Sequence, residues 1–532
     1  MEKELIKKEP VAEEPVFRLT KPKRKGLLPL LFSRFLFIVL LLVLQVALVF
    51  VIYGLLNQYI TFLSVIMGIF TVLMIVFLFN CEMDATAKLT WMFMIAVFPL
   101  PAAGFLFFTR TNVGHSAIKK RVAELAESTR GAIGQPEDVI RQVREDGSGV
   151  AALAEYLSRG GCYPVFANTS VTYFPVGEKK FEAMLEELKK AEKYIFMEYF
   201  IIAEGYMWGR ILEVLIERAR AGVDVRVMYD GMCEVALLPS DYTRRLSEHG
   251  IKAKAFAPIM PVVSSHYNYR DHRKILVIDG KVAFNGGINL SDEYINRVER
   301  FGHWKDTALM LKGEAAKSFA LMFLQMWNLD EKSPEFLPYL EDGGYCPENA
   351  GGYVMPYGDC PLDEDKAGEA VYMDILNRAN DYVHIMTPYL ILDDEMKAAL
   401  KYAAQRGVDV KLILPGIPDK KAAFALAKSH YLPLVNAGVK IYEYTPGFVH
   451  AKVFVSDGIK AVVGTINLDY RSLYHHFECG TFLYRTECIA DIERDFQETL
   501  GKCRQVTRDS IRHEKGSYKL MGSFLKFIAP LM

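Results

Sequence analysis

Hydrophobic positions come first in long runs and later in alternation, and that change divides the chain. Residues 1–26 are polar and charged, whereas 27–108 are mostly apolar. Phe35–Tyr53 carries no charge and supplies about the twenty residues needed to cross a hydrocarbon core. Ile60–Phe79 is again uncharged and long enough. The pattern therefore predicts two spans, at about 30–55 and 60–80. The charged stretch ahead of so long an apolar core argues against a cleaved signal peptide. A third run, 89–108, is interrupted by Pro99, Pro101 and Gly104, which a straight helix tolerates poorly. Basic residues flank the region on both sides, Lys21, Lys23, Arg24 and Lys25 before it and Arg110, Lys119, Lys120 and Arg121 after it. Because such residues stay cytoplasmic, an even number of crossings is expected. The third run then re-enters or lies in the interface, and the large domain is cytoplasmic. Three simple spans, the alternative, would place that domain outside.

A helix-like connector, 109–165, leads into an internal repeat. GVDVRVMYDG (222–231) matches GVDVKLILPG (407–416), and KYIFMEYFII (193–202) resembles YVHIMTPYLI (382–391). Helical periodicity over 206–221 and 394–406 precedes the first pair. Each half thus reads strand, helix, strand, and the expectation is an α/β protein of two half-domains, 166–340 and 341–510. HRKILVIDGKVAFNGGIN (272–289) aligns with HAKVFVSDGIKAVVGTIN (450–467), offset by 178 positions. Alternation about a central Asp-Gly predicts a hairpin in each. On a strand, His272 would share a face with Lys274 and His450 with Lys452, while Asp279 and Asp457 fall at the turns. The stripe Phe181, Met184, Leu185 and Leu188 reads as core packing. The tail, 511–532, mixes Leu520, Met521, Phe524, Leu525 and Ile528 with Lys519 and Lys526; it fits an interfacial helix or packing on its own domain.

Composition changes this picture little. Of 532 residues, 51% are hydrophobic and 24% charged, as expected of a folded body joined to a lipid-embedded segment. Lysine plus arginine, 63, nearly balances aspartate plus glutamate, 64, so no general basic field points to nucleic acid. The eight cysteines form no paired spacing that would suggest zinc or a disulfide framework. No motif sets metal ligands at helical or loop spacing.

The two H-x-K-x4-D blocks, followed by GG-x-N and GT-x-N, resemble the paired signatures of the phospholipase D superfamily. NYRDHRK (268–274), TINLDYRSL (465–473) and WMFMIAVFPLPAAGFLFF (91–108) resemble the bacterial cardiolipin synthases in particular. Asp271 stands where that family often has asparagine, and His476 where asparagine commonly precedes Phe-Glu. The resemblance implies two pseudo-twofold-related half-domains forming one active site, in a bacterial plasma-membrane enzyme that joins two phosphatidylglycerol molecules into cardiolipin and glycerol. A phosphodiester is anionic and resists attack, so it needs cations and a nucleophile with a matched acid. The motif residues His272, Lys274, Asp279, His450, Lys452 and Asp457 would supply these. The resemblance makes His272 the nucleophile and His450 the acid and then base; the near-symmetric pair itself leaves the exchange of roles open. The aspartates are assigned to orientation and structure. Lys274, Lys452, Asn289 and Asn467 would donate to phosphoryl oxygens, with Gly286, Gly287, Gly464 and Thr465 allowing close approach. Glu478 and Asp306 are candidates to orient the imidazoles, though either could be a solvated surface group. Neither cofactor nor metal is expected, and the partners are phospholipids and the membrane. A water-using phospholipase and a non-catalytic scaffold are the alternatives.

Overall fold

A computed structural model describes residues 17–19, 43–45, 47, 50–51, 59–110, 115–161, 163–258, 269–341, 345–363 and 365–529. Most of the expected first span, 30–55, and residues 259–268 lie outside them. Ile60–Phe79 forms one continuous helix, among the described residues the one long and apolar enough to cross a membrane. Phe62, Ile69, Leu73 and Phe79 are exposed along it. The apolar run 89–108 is not one helix. Ala85–Val97 starts at Asp84, whose carboxylate accepts the Ala87 N–H, and stops at Phe98. A residue before proline avoids helical geometry, and Phe98 (φ −130°, ψ 71°) yields a bend before Pro99–Arg110 begins. At 13 and 12 residues, neither piece has the length of a span. Trp91, Ile95, Ala102 and Leu106 fold them back on Leu78.

The first half contributes β1 (Thr169–Phe174), β2 (Tyr194–Tyr199), β3 (Asp224–Asp230), β4 (Lys252–Phe256), β5 (Arg270–Asp271), β6 (Lys274–Ile278), β7 (Val282–Gly286), β8 (His303–Lys305) and β9 (Ala308–Gly313). Seven of these form a sheet in the order β1-β9-β7-β6-β2-β3-β4. The second half contributes β10 (Tyr353–Asp359), β11 (Tyr382–Met386), β12 (Asp409–Pro415), β13 (Lys440–Tyr444), β14 (Gly447–Val449), β15 (Val453–Ser456), β16 (Lys460–Gly464), β17 (His476–Tyr484) and β18 (Cys503–Gln505). Its order, β10-β17-β16-β15-β11-β12-β13, repeats the first position for position and is extended by β18. In each sheet three parallel strands are joined to an antiparallel hairpin. Strand β2 is buried at every position, as a parallel strand covered on both faces must be.

The hairpins turn where the sequence places them. Asp279 and Gly280 (φ 53° and 65°) and Asp457 and Gly458 (φ 55° and 67°) are all left-handed, the conformation a tight Asp-Gly turn requires. The Asp279 carboxylate accepts the N–H groups of Glu192, Lys193 and Tyr194, each at 2.8 Å. Asp457 does the same for Asn380, Asp381 and Tyr382, at 2.9, 3.0 and 2.9 Å. Each aspartate thereby ties its hairpin to the start of the neighbouring parallel strand.

The two sheets face one another across a shared apolar layer that includes Phe196, Ile275 and Val277 of one half and Met386, Val453 and Val455 of the other. The helix Ala316–Trp327, apolar nearly all round, is buried in that layer. Each sheet's other face has its own core. The connector helices Glu137–Glu145 and Val150–Gly161 pack into that of the second half through Val143, Val150 and Leu157. The tail helix Gly516–Ile528 lies on Lys421–Asn436, where a Cβ at Gly522 would come within 2.5 Å of the Ala425 carbonyl oxygen. It also meets the apolar helices, since Thr90 Oγ1 donates to the Phe527 carbonyl at 2.8 Å. Leu520 and Phe524 remain exposed on it.

Candidate active site

The motif histidines do not sit on a strand, as their alternation suggests; each directly follows a short one, His272 after β5 and His450 after β14. Between β5 and β6 the chain leaves one sheet for the other: β5 pairs in parallel with the start of β17, in the second half, and β6 pairs with β2. His272 lies at that crossing, its N–H donating to the Phe477 carbonyl at 2.9 Å. The arrangement is reciprocal. Strand β14 pairs in parallel with β8, in the first half, and the His450 N–H donates to the Lys305 carbonyl at 2.7 Å.

The residue after each accepting carbonyl is a carboxylate. Glu478 follows Phe477, and its oxygens lie 2.8 and 2.9 Å from His272 Nδ1. Asp306 follows Lys305, and its Oδ2 lies 2.6 Å from His450 Nδ1. Both carboxylates are fully buried rather than solvated, and each histidine side chain is 9% exposed. Neither imidazole can thus be positioned without the opposite half.

Lys274 and Lys452 are buried beside them, each ammonium donating to the carbonyl of its own motif histidine. Aromatic rings close the sides. Phe200 stands 5.0 Å from the His272 ring, and Tyr294, Trp304 and Phe448 stand 5.5, 5.5 and 5.8 Å from His450. Among buried groups close by is Lys180, which donates to Tyr199 Oη and the Ile288 carbonyl.

The flanking motif residues serve the frame. Asn289 gives its amide to Tyr294 Oη at 2.8 Å and accepts the Ile201 N–H at 3.0 Å. Asn467 gives its amide to Ser472 Oγ at 3.0 Å. A Cβ on Gly287 would sit 2.2 Å from Asp306 Oδ1, so that glycine makes room for the carboxylate. Gly286 (φ 147°) and Gly464 let their strands approach the next one, where a Cβ would meet the Thr307 and Cys479 carbonyl oxygens at 2.4 and 2.6 Å. Thr465 replaces Gly287 in the second half and donates its hydroxyl to Glu478. Asp279 and Asp457 lie at the far ends of β6 and β15, about 20 Å along the chain from the histidines at an extended rise. They belong to the hairpin turns, not to the space between the rings.

Burial governs the electrostatics. Desolvation, with the Lys274 ammonium and His476, holds the His272 imidazole well below its usual range. His450 is pushed down to about 4 by burial and Lys452, against the pull of Asp306. Burial also brings Lys274 down to about 8 and Lys452 to about 7, opposed by Glu478 and Asp306 respectively. Burial raises Glu478, against Lys274 and the Thr465 hydroxyl. An anion entering between the lysines would raise both ammonium pKa values, so the site is built to take up protons as it binds one. Binding of tungstate, an inert tetrahedral oxyanion, is therefore expected to weaken as pH rises through 7 to 8. At pH 8 it should be accompanied by uptake of about one proton. Calorimetry in buffers of different ionisation enthalpy measures that uptake; proton release would contradict the assignment.

His476, marked in the sequence as a departure from the family pattern but given no role there, has its ring 5.5 Å from that of His272. Asp271, the other departure, belongs to an ion-pair network beneath β5 that the sequence did not announce, in which Arg273 meets Glu198 at 2.6 Å and Asp271 at 3.4 Å, and Arg270 meets Asp230 at 3.3 Å.

Comparison with known proteins agrees with this two-half fold. The family model described as cardiolipin synthase, PLD-like domain, matches residues 184–327 and 372–500, one segment in each half. An uncharacterised protein of Streptococcus mutans is 57% identical over 86% of this chain and 99% of its own length. Cardiolipin synthase 2 of Bacillus anthracis is 33% identical over 86% of this chain and 89% of its own. The crystal structure of phosphatidylserine synthase from Haemophilus influenzae covers 71% of this chain and 97% of its own, with a TM-score of 0.54 and 14% identity, and so shares the fold. With matched sequence in both halves, a paired-sheet fold and two full motifs, the chain belongs to the cardiolipin synthase family of the phospholipase D superfamily.

Proposed function

We propose that the protein transfers a phosphatidyl group from one phosphatidylglycerol to another, giving cardiolipin and glycerol through a phosphohistidine. The observation that carries this reading is the reciprocal anchoring of two imidazoles, each held at Nδ1 by a carboxylate of the other half, with two lysines beside them. With its Nδ1–H given to Glu478, neutral His272 keeps a lone pair on Nε2, which attacks phosphorus. The bond from phosphorus to the glycerol oxygen breaks, and protonated His450 gives that oxygen its proton. Burial opposes charge on His450, but the incoming phosphodiester anion and Asp306 favour it. His450 then removes the proton from the hydroxyl of the second lipid. That oxygen attacks phosphorus, the P–N bond breaks, and His272 is regenerated. Lys274 and Lys452 balance the phosphoryl charge throughout.

Binding to a bilayer favours this outcome over hydrolysis, because lipid acceptors are concentrated at the site. The helix Ile60–Phe79 supports membrane attachment. We infer two full spans with the body on the cytoplasmic side, a topology supported by the flanking basic residues and by the bend at Pro99. The test incubates purified protein in detergent with labelled phosphatidylglycerol and a chelator. Cardiolipin with equimolar glycerol is expected; phosphatidic acid as the main product would mean a hydrolase, and no product at all would sink the enzyme reading.

A further inference from the structure

His476 opens β17 with its side chain 10% exposed. Its Nδ1 is 3.7 Å from Glu478 Oε1, is shielded from solvent, and makes no hydrogen bond. One donor atom from each of His272, His476 and Glu478 lies within 4.8 Å of the others. Ligands at tetrahedral zinc distances stand about 3.4 Å apart, so a modest closing of the three groups brings them to a common centre. Two imidazoles and a carboxylate are a donor set suited to Zn2+, with a fourth position left open.

We propose that His272, His476 and Glu478 form a Zn2+ site whose occupancy switches the enzyme off. The binding part stands on this geometry alone; the inhibitory part rests on His272 as the nucleophile. The Nδ1 of His272 already faces Glu478 at 2.8 Å and is the donor this proposal assigns to the shared ion. When Nδ1 coordinates the metal, the one proton of the neutral imidazole moves to Nε2. The lone pair that would attack phosphorus is then gone. Glu478, drawn to the ion, no longer orients the ring. The Lys274 ammonium beside Glu478 opposes a dication, which makes the site reversible rather than structural.

The test uses the full chain in detergent, stripped of metal, with Co2+ as an optical probe. One Co2+ per chain is expected, with the strong visible absorption of low coordination number and two imidazoles counted by X-ray absorption. Zn2+ should lower cardiolipin formation at least tenfold, and a chelator should restore it. H476N, which places asparagine where the family commonly has it, should keep activity within a few-fold while losing both the Co2+ band and the Zn2+ inhibition. A missing band or fewer than two imidazoles in the unmodified protein would overturn the site, however the variant folds. Inhibition unchanged in H476N would overturn it as well. A protein that makes no cardiolipin but shows the Co2+ site would refute the proposed reaction and leave the metal site standing.

Discussion

Replacing His272 by alanine is expected to abolish cardiolipin formation, and so is replacing His450, yet the two variants should fail at different steps. Loss of His272 removes the atom that accepts the phosphatidyl group, so no covalent lipid forms with any donor. Loss of His450 removes the proton for the departing glycerol oxygen, an effect of roughly 10²–10⁴-fold for one general acid. It leaves the nucleophile in place. A phosphatidyl ester of p-nitrophenol needs no such proton, because its leaving group is stable as an anion. H450A should therefore release about one equivalent of nitrophenolate and hold the lipid on His272, since the base for the second step is missing too. Lipid attached through an acid-labile, base-stable P–N bond in H450A and absent from H272A is the expected result of mass spectrometry. Both rings lie next to buried carboxylates, so thermal melts must show that each variant is folded. Covalent lipid on His450 in H272A would exchange the two roles, and substantial turnover in either variant would refute a shared site.

The sequence made the frame legible because the repeat is written in local pattern. Alternation, the Asp-Gly turns and the crossover helices are each set by a few neighbouring residues, and the hairpins fold where Asp279-Gly280 and Asp457-Gly458 place them. The family resemblance was equally open, through the twin motifs. The site was less so, because it is assembled from pairings between halves that no local periodicity encodes. A two-residue strand, Arg270–Asp271, carries one crossing and a three-residue strand, Gly447–Val449, the other. Such short segments have no pattern of their own. For the same reason Glu478 and Asp306 could equally be read as surface groups from the sequence, although both are fully buried. His476 comes beside His272 only when β17 meets β5. The break at Phe98 was foreshadowed by Pro99, but its fold back on Leu78 was not, since packing between apolar helices leaves little trace in an all-apolar run.

Glu478→Gln and Asp306→Asn are expected to slow cardiolipin formation by roughly 10²–10⁴-fold while leaving the fold intact, since each keeps shape and loses a carboxylate that fixes an imidazole. Both carboxylates act at Nδ1. A carboxylate can only accept there, so the histidine must present its proton to it and keep the Nε2 lone pair free. An amide can also donate, which permits the other tautomer and turns Nε2 into an N–H. For His272 that tautomer is not nucleophilic, so E478Q should slow the first, covalent step with every donor, the nitrophenyl ester included. For His450 the loss falls on proton delivery, because Asp306 no longer supports the imidazolium. In D306N the nitrophenyl ester should therefore restore formation of the covalent lipid to within about tenfold of the parent, whereas E478Q stays slow by the factor seen with the natural donor. Single-turnover kinetics separate the two. The Thr465 hydroxyl adds a further asymmetry, for it holds Glu478 but has no counterpart at Gly287, the matching position beside Asp306. Rescue of E478Q and not of D306N would assign the acid to the first half and the nucleophile to the second.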